Sequence, residues 1–190
     1  MNLQEIQDRF ELKHLVDHFS NLADEKKVAE QMPLFAEDAE VITYIGNELF
    51  AHAKGRTEKV FSDYLANFHT VYHLNGQQTV QLEGDKAEGI SYCQVALVST
   101  QNGKEELLTH YVRYHDSYAK INGHWVIQKH RAFYVERDPH SECLKHEKPL
   151  HHSGFYSHPP KASYCVAPLR RTNAYCLQRR ALSEAFGGEL

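Results

Sequence analysis

The chain has 190 residues, with 21 Lys and Arg against 25 Asp and Glu for a net charge of −4, 42% hydrophobic content, 14 His and 4 Cys. That length holds one compact domain of roughly 100–150 residues plus an extension, and the mildly acidic balance excludes nucleic acid or a membrane as the default partner, since either calls for a basic face. No stretch reaches the ~20 apolar residues of a membrane span, and Met1–Leu12 reads as a charged amphipathic helix instead of a signal segment, so the expected compartment is the cytosol with reduced thiols.

In chain order, Ile6, Phe10, Leu12, Leu15, Val16, Phe19 and Leu22 recur at three- and four-residue steps, predicting one helix to about Asp24. A shorter helix follows over Val28–Phe35, interrupted near Pro33. The period then changes to two. Glu40–Tyr44 and Glu48–Ala53, joined by Gly46-Asn47, read as a short hairpin or a broken strand. Gly55–Phe68 returns to helix, with Val60, Phe61, Tyr64, Leu65 and Phe68 on one side. Four long strands come next, roughly Val71–Leu82, Ala87–Thr100, Glu105–Lys120 and His124–Glu136, forming an antiparallel meander. Gly84-Asp85, Asn102-Gly103 and Asn122-Gly123 supply the turns, the last two being strong hairpin signals.

After Pro139 this order stops. Residues 139–190 hold seven Lys and Arg against four Glu, so they carry +3 of the net charge and the first 138 residues carry −7. Prolines 139, 149, 159, 160 and 168, three of the four cysteines and five histidines fall there. The division is therefore a domain over 1–138 and a His-, Pro- and Arg-rich extension over 139–190 that is expected to be disordered or loosely packed. Cys143 and His146 form a C-x-x-H, with His151, His152, His158, Cys165 and Cys176 beyond it. No C-x-x-C pairs with it and no finger spacing matches, so no metal is expected. Neither a phosphate-cradling Gly-rich loop nor a G-x-S-x-G elbow occurs, and no cofactor is called for.

Helices followed by a meander of strands long enough to curl give an α+β cone, with three N-terminal helices on a strongly curved antiparallel sheet. At this level the chain resembles SnoaL-like proteins of the nuclear transport factor 2-like (NTF2-like) superfamily. The landmarks are Phe35-Ala36-Glu37-Asp38-Ala39, Gly55-Arg56 opening a helix, His73-Leu74, Glu83 to Ala87, Arg113-Tyr114-His115-Asp116 and Asn122 to Ile127. The resemblance covers about Leu3 to Arg137. It implies a small-molecule cavity and a homodimer formed through the outer sheet face.

The scytalone dehydratase-like and bile-acid dehydratase-like branch places an aspartate at the end of helix one, a tyrosine on the first strand and a histidine after the third helix. Asp24, Tyr44 and His73 are similar to these in position, so the resemblance implies a catalytic trio. Dehydration needs one group to take a proton and another to protonate the leaving hydroxyl, chemistry that a His–Asp pair performs with a tyrosine hydroxyl holding an oxygen. The match is incomplete. Phe19 stands where the branch has a helix-one tyrosine, Gln94 or Val95 stands where the bile-acid enzyme has a strand aspartate, and Thr43 falls near the base of the isomerase branch.

Strand alternation adds substrate-binding candidates. His110, Val112, Tyr114, Asp116 and Tyr118 share one face of the third long strand. His124, Val126, Gln128, His130, Ala132 and Tyr134 share a face of the last, opposite Trp125, Ile127, Phe133 and Val135. Which face points inward stays open at this stage, because a one-residue slip exchanges the two. Phe19, His110, Tyr114 and His130 are the substrate-contact candidates, and Arg113 and Asp116 form a cross-strand pair. The leading reading is a cofactor-independent lyase or isomerase acting on a hydrophobic, hydroxylated or carbonyl-bearing ring compound. Its rival is a non-catalytic binding or dimerisation module.

Overall fold

The computed structural model of the protein describes residues 1–135. The expected extension over 139–190, with its C-x-x-H and His-rich run, lies outside the described residues.

Helix α1 runs over Leu3–Asp24, and Asn2 caps it by accepting the Glu5 N–H at 2.8 Å. Its three- and four-residue spacing turns Leu12, Leu15, Val16, Phe19, Leu22 and Ala23 into one buried face. The later helices are shorter than the periodicity predicts. Helix α2 spans only Val28–Gln31 before Met32–Leu34 tightens into a 3₁₀ turn at Pro33, and α3 spans Glu58–Leu65. Pro33 accounts for the first shortening, since proline cannot donate the hydrogen bond that would continue an α-helix. One long helix, not three, covers the sheet.

Six strands form that sheet: β1 Phe35–Ile45, β2 Glu48–Lys54, β3 Thr70–Glu83, β4 Lys86–Gln101, β5 Lys104–Ile121 and β6 His124–Tyr134. The Asn102-Gly103 and Asn122-Gly123 turns have positive φ at both residues, the backbone that twisted two-residue hairpins need. The spatial order is β2-β1-β6-β5-β4-β3. The expectation of a wholly antiparallel sheet is corrected at one seam, where β1 pairs with β6 in parallel. The meander runs out to the β3 edge and returns, bringing the last strand alongside the first. Parallel neighbours require a long connection, and here it is everything between Ile45 and His124.

Curvature shows in what α1 touches. On one side Ser20 and Asn75 hydrogen-bond at 2.9 Å and Arg9 donates to the Val80 carbonyl at 2.7 Å, both reaching edge strand β3. On the other side Asp8 accepts from Lys120 at 2.6 Å and from Trp125 at 3.0 Å, reaching β5 and β6. One helix can contact strands that far apart only if the sheet wraps around it. The core lies between, with Leu12, Phe35, Leu97, Tyr118 and Ile127 almost wholly buried.

A bulge in β6 corrects the alternation drawn from the sequence. Tyr118 pairs with Ile127 but Ser117 pairs with Lys129, so Gln128 is an extra residue without a partner opposite. The inner face therefore carries Trp125 and Ile127 before the bulge and His130 and Ala132 after it, all four buried. His124 and Gln128, placed with His130 by strict alternation, are exposed.

Candidate active site

Helix α1 ends in a defined way. Lys26 adopts φ +56°, Lys27 N–H donates to the Leu22 carbonyl at 2.8 Å and Lys26 N–H to the Ala23 carbonyl at 3.0 Å. These are the paired bonds of a Schellman closure, which fixes the last helical turn and Asp24 with it. The Lys26 ammonium also bonds the Phe68 carbonyl, just before β3 begins.

His73 faces inward from β3, between the exposed Tyr72 and Leu74. Asp24 holds it twice. Oδ1 lies 2.6 Å from Nδ1 of the ring and Oδ2 accepts the His73 backbone N–H at 3.1 Å. A carboxylate only accepts, so Nδ1 carries the shared proton and the neutral ring has its lone pair on Nε2. The side chains are 11% and 23% exposed, so the pair sits at the margin of the core. The buried Cys93 thiol is close by, pushed up to about 12 first by burial and then by the negative charge of Asp24.

The third member of the expected trio is elsewhere. Tyr44 alternates with the buried Thr43 and Ile45, and its ring stacks on Phe133 at 4.6 Å and 3°, with His115 against the other ring. Phe133 itself alternates with the inward Ala132 and Tyr134, so this aromatic group belongs to the outer face. The structure brings Asp24 and His73 together and leaves Tyr44 out.

His110 is inward and 8% exposed. Register places it beside Val95, whose other neighbour is His73, so the two imidazoles lie on one row across β3, β4 and β5. Its Nε2 is buried with no hydrogen-bond partner among the described residues, its ring meets Tyr134 edge-on at 5.1 Å, and burial pushes its titration down to about 4. The ring is therefore neutral near pH 7. Because the unfolded chain takes up this proton near the ordinary 6.5 and the folded chain only near 4, stability falls as pH drops through that window. About 2–3 kcal/mol is expected to be lost between pH 7 and 4.5 through this one group. Urea unfolding at the two pH values checks it: His110→Phe should flatten the loss, and an unchanged slope would refute the assignment.

A second His–Asp pair lies deeper. His130 Nδ1 is 2.8 Å from Asp116 Oδ1, Tyr118 donates to Asp116 Oδ2 at 3.0 Å, and all three residues are buried. The cross-strand pair of Asp116 with Arg113 is thus corrected: Asp116 points inward and Arg113 is exposed on the outer face. Gly89, opposite Asp116 on β4, makes room, because a Cβ there would come within 2.9 Å of the Tyr118 ring. Tyr114 stacks on His130 at 4.7 Å, and Phe19 packs against the same imidazole at 5.4 Å. The four substrate-contact candidates, Phe19, His110, Tyr114 and His130, are all buried and inward. Asp116 and Tyr118, which sequence reasoning left without a functional role, complete the second pair. Their shared face with Tyr114 was the available signal. Among the described residues, no three His, Cys, Asp or Glu side chains stand together as metal ligands, and no helix is long and apolar enough to cross a membrane.

Residues 4–131 match the SnoaL-like domain. The chain belongs to the SnoaL-like domain family. The uncharacterized protein Rv2910c of Mycobacterium tuberculosis is 25% identical to this SnoaL-like chain over 130 residues, covering 67% of the chain and 85% of the relative. A proposed scytalone dehydratase from Novosphingobium aromaticivorans superposes with a TM-score of 0.61 at 21% identity, covering 72% of this chain and 89% of the other. A proposed dehydratase of the NTF2-like family from Streptomyces avermitilis gives 0.58 at 14%, covering 69% and 99%. At these identities the structural likeness establishes the NTF2-like fold that the SnoaL-like domain adopts, and no more.

Proposed function

We propose that this protein is a cofactor-independent lyase or isomerase acting on a hydrophobic ring compound that carries a hydroxyl or carbonyl group. The single observation carrying the reading is the 2.6 Å contact between Asp24 and His73 at the margin of an apolar interior. Asp24 orients the imidazole, and Nε2 takes a proton from carbon beside a carbonyl. The unpartnered Nε2 of His110 meets the substrate oxygen, while Phe19, Tyr114 and His130 form the wall. The dehydratase descriptions of two structural neighbours support the same chemistry. Tyr44 has no part in this reading, and a water or substrate group takes the place of its hydroxyl.

The test is a thermal-shift and turnover screen with cyclic β-hydroxy-ketones, beginning with 3-hydroxycyclohexanone and 3-hydroxy-1-tetralone. Saturable loss of water that depends on His73 supports the reading. Saturable binding without turnover would instead favour the non-catalytic binding module.

We also propose a homodimer through the outer sheet face. Tyr72, Leu74, Ile90, Tyr92, Leu107 and Tyr111 are large apolar residues exposed on β3, β4 and β5, more than a lone domain ordinarily leaves to water. Light scattering should give twice the chain mass, and Tyr92→Glu combined with Leu74→Glu should halve it. A monomeric wild-type protein at about 100 μM, well above the weak-affinity range of standard interfaces, rejects the dimer.

A further inference from the structure

His73 stands on an edge strand. β3 has a ladder to β4 on one side and no strand on the other, so its position against α1 rests on side-chain bonds. Three inward residues of β3 supply them in a line. Gln78 donates to the Leu12 carbonyl at 3.5 Å, Asn75 donates to Ser20 Oγ at 2.9 Å and to Asp17 Oδ1 at 3.1 Å, and the His73 ring meets Asp24 at 2.6 Å.

Helix and strand run past each other with matched lengths. Leu12 to Asp24 covers about 18 Å of helix at 1.5 Å per residue, and Gln78 to His73 covers about 16 Å of strand at about 3.3 Å per residue. A bulge makes the match possible. Asn75 pairs with Cys93 and Gln78 with Ser91, so Gly76 and Gln77 stand together opposite Tyr92, and the inward positions of β3 run 71, 73, 75, 78, 80 and 82. Within this seam the Gln78 bond is long, while both Asn75 bonds are short and lie one inward step from His73. Asp17 only accepts, which turns the amide nitrogen of Asn75 toward α1 and gives each of its two hydrogens an acceptor. A group that moves a proton must be held within about 0.5 Å of its working geometry by the residues behind it, and a misplacement of about 1 Å can cost 10²-fold in rate.

We infer that Asn75 is a positioning residue: by bonding Asp17 and Ser20 it holds the edge of β3 at the separation from α1 that keeps His73 on Asp24, and so keeps the proton on Nδ1 and leaves Nε2 free to accept one. Its catalytic consequence rests on the lyase reading, in which Nε2 is the base. Asn75 itself touches no substrate and transfers no proton. A tie that served stability alone would change the melting temperature and leave the folded His73 site unaltered.

The pair can be read without turnover. In the full chain labelled with ¹⁵N-histidine at about pH 8, with His73→Gln to identify the signals, neutral His73 should show a protonated Nδ1 and an unprotonated Nε2. Asn75→Leu keeps a side chain of similar size and removes the donors. Its two His73 nitrogens should move toward a common averaged value as both tautomers become populated, and kcat for 3-hydroxy-1-tetralone should fall at least about tenfold with KM within about threefold. Gln78→Leu, at the far end of the same seam, should leave both readings unchanged. A folded Asn75→Leu protein with the wild-type His73 spectrum overturns the inference. An equal change in Gln78→Leu also overturns it, since the seam would then act as general packing. A wild-type His73 that already averages its tautomers does the same, because nothing would then be held. The expected spectral change in a protein whose wild type shows no turnover supports the positioning role and removes the lyase reading. Should Asn75→Leu fail to fold, Ser20→Ala removes the 2.9 Å bond alone. Partial averaging of the His73 nitrogens then supports the assignment, and an unchanged spectrum rejects it.

Discussion

Turnover by the His73→Ala protein is expected to fall by about 10²–10⁴, the usual contribution of a positioned proton-transfer group. Folding should survive, because His73 lies at the margin of the core and alanine leaves the strand backbone free to keep its bond to Asp24. Asp24→Asn provides the sharper contrast. Asparagine is nearly isosteric, yet its amide can present a donor to Nδ1 where the carboxylate only accepts. The ring can then swap tautomers, placing the proton on Nε2 and blocking the base. The expected signature is a large loss in kcat with KM within about threefold, since Asp24 acts through His73 and touches no substrate. Equal activity of Asp24→Asn and wild type would remove the pair from the mechanism.

The largest stability effect is expected at Asp116. Asp116→Val leaves the His130 Nδ1–H and the Tyr118 hydroxyl buried without an acceptor. Breaking one side of a buried pair in this way costs about 3–5 kcal/mol, a large share of the 5–15 kcal/mol that holds a typical domain folded. Removing the stranded partners as well, through His130→Phe and Tyr118→Phe, should return most of that loss. Urea midpoints of the single and triple variants decide the matter. A single variant within 1 kcal/mol of wild type would mean that the pair contributes little, and a triple variant no better than the single one would mean that the cost is a packing defect.

The sequence disclosed whatever depends on short-range chemistry. Helix α1 and its end at Asp24 followed from apolar spacing, and the hairpins at Asn102-Gly103 and Asn122-Gly123 followed from residues that tolerate positive φ. That His110, Val112, Tyr114, Asp116 and Tyr118 share one face followed from alternation along an unbroken strand, while the inward direction of that face came only with the burial seen in the fold. The parity of β6 did not, because the extra residue at Gln128 is ordinary in composition and the bulge is set by pairing with β5. Without that offset, strict alternation puts His130 with His124 and hides its partnership with Asp116. Tyr44 was misplaced for a related reason. Its spacing within β1 cannot say which side faces α1, and the answer comes from the parallel seam with β6, a pairing between residues some ninety positions apart. His73 and Asp24 were legible from their positions in a family pattern, while their 2.6 Å contact needed the wrapped sheet.

That seam also dictates how the molecule can come into being. Strand β6 lies between β1 and β5, so a chain ending before His124 holds two unconnected sheets, β2-β1 and β3-β4-β5, each presenting a bare edge where β6 will sit. As the ribosome delivers the protein, α1 can pack on both halves, through Phe35 of β1 and Asn75 of β3, but no strand pairing joins them until the last described strand emerges. The final strand is the keystone, and until it is set the nascent chain carries two open edges of the kind that recruit other chains.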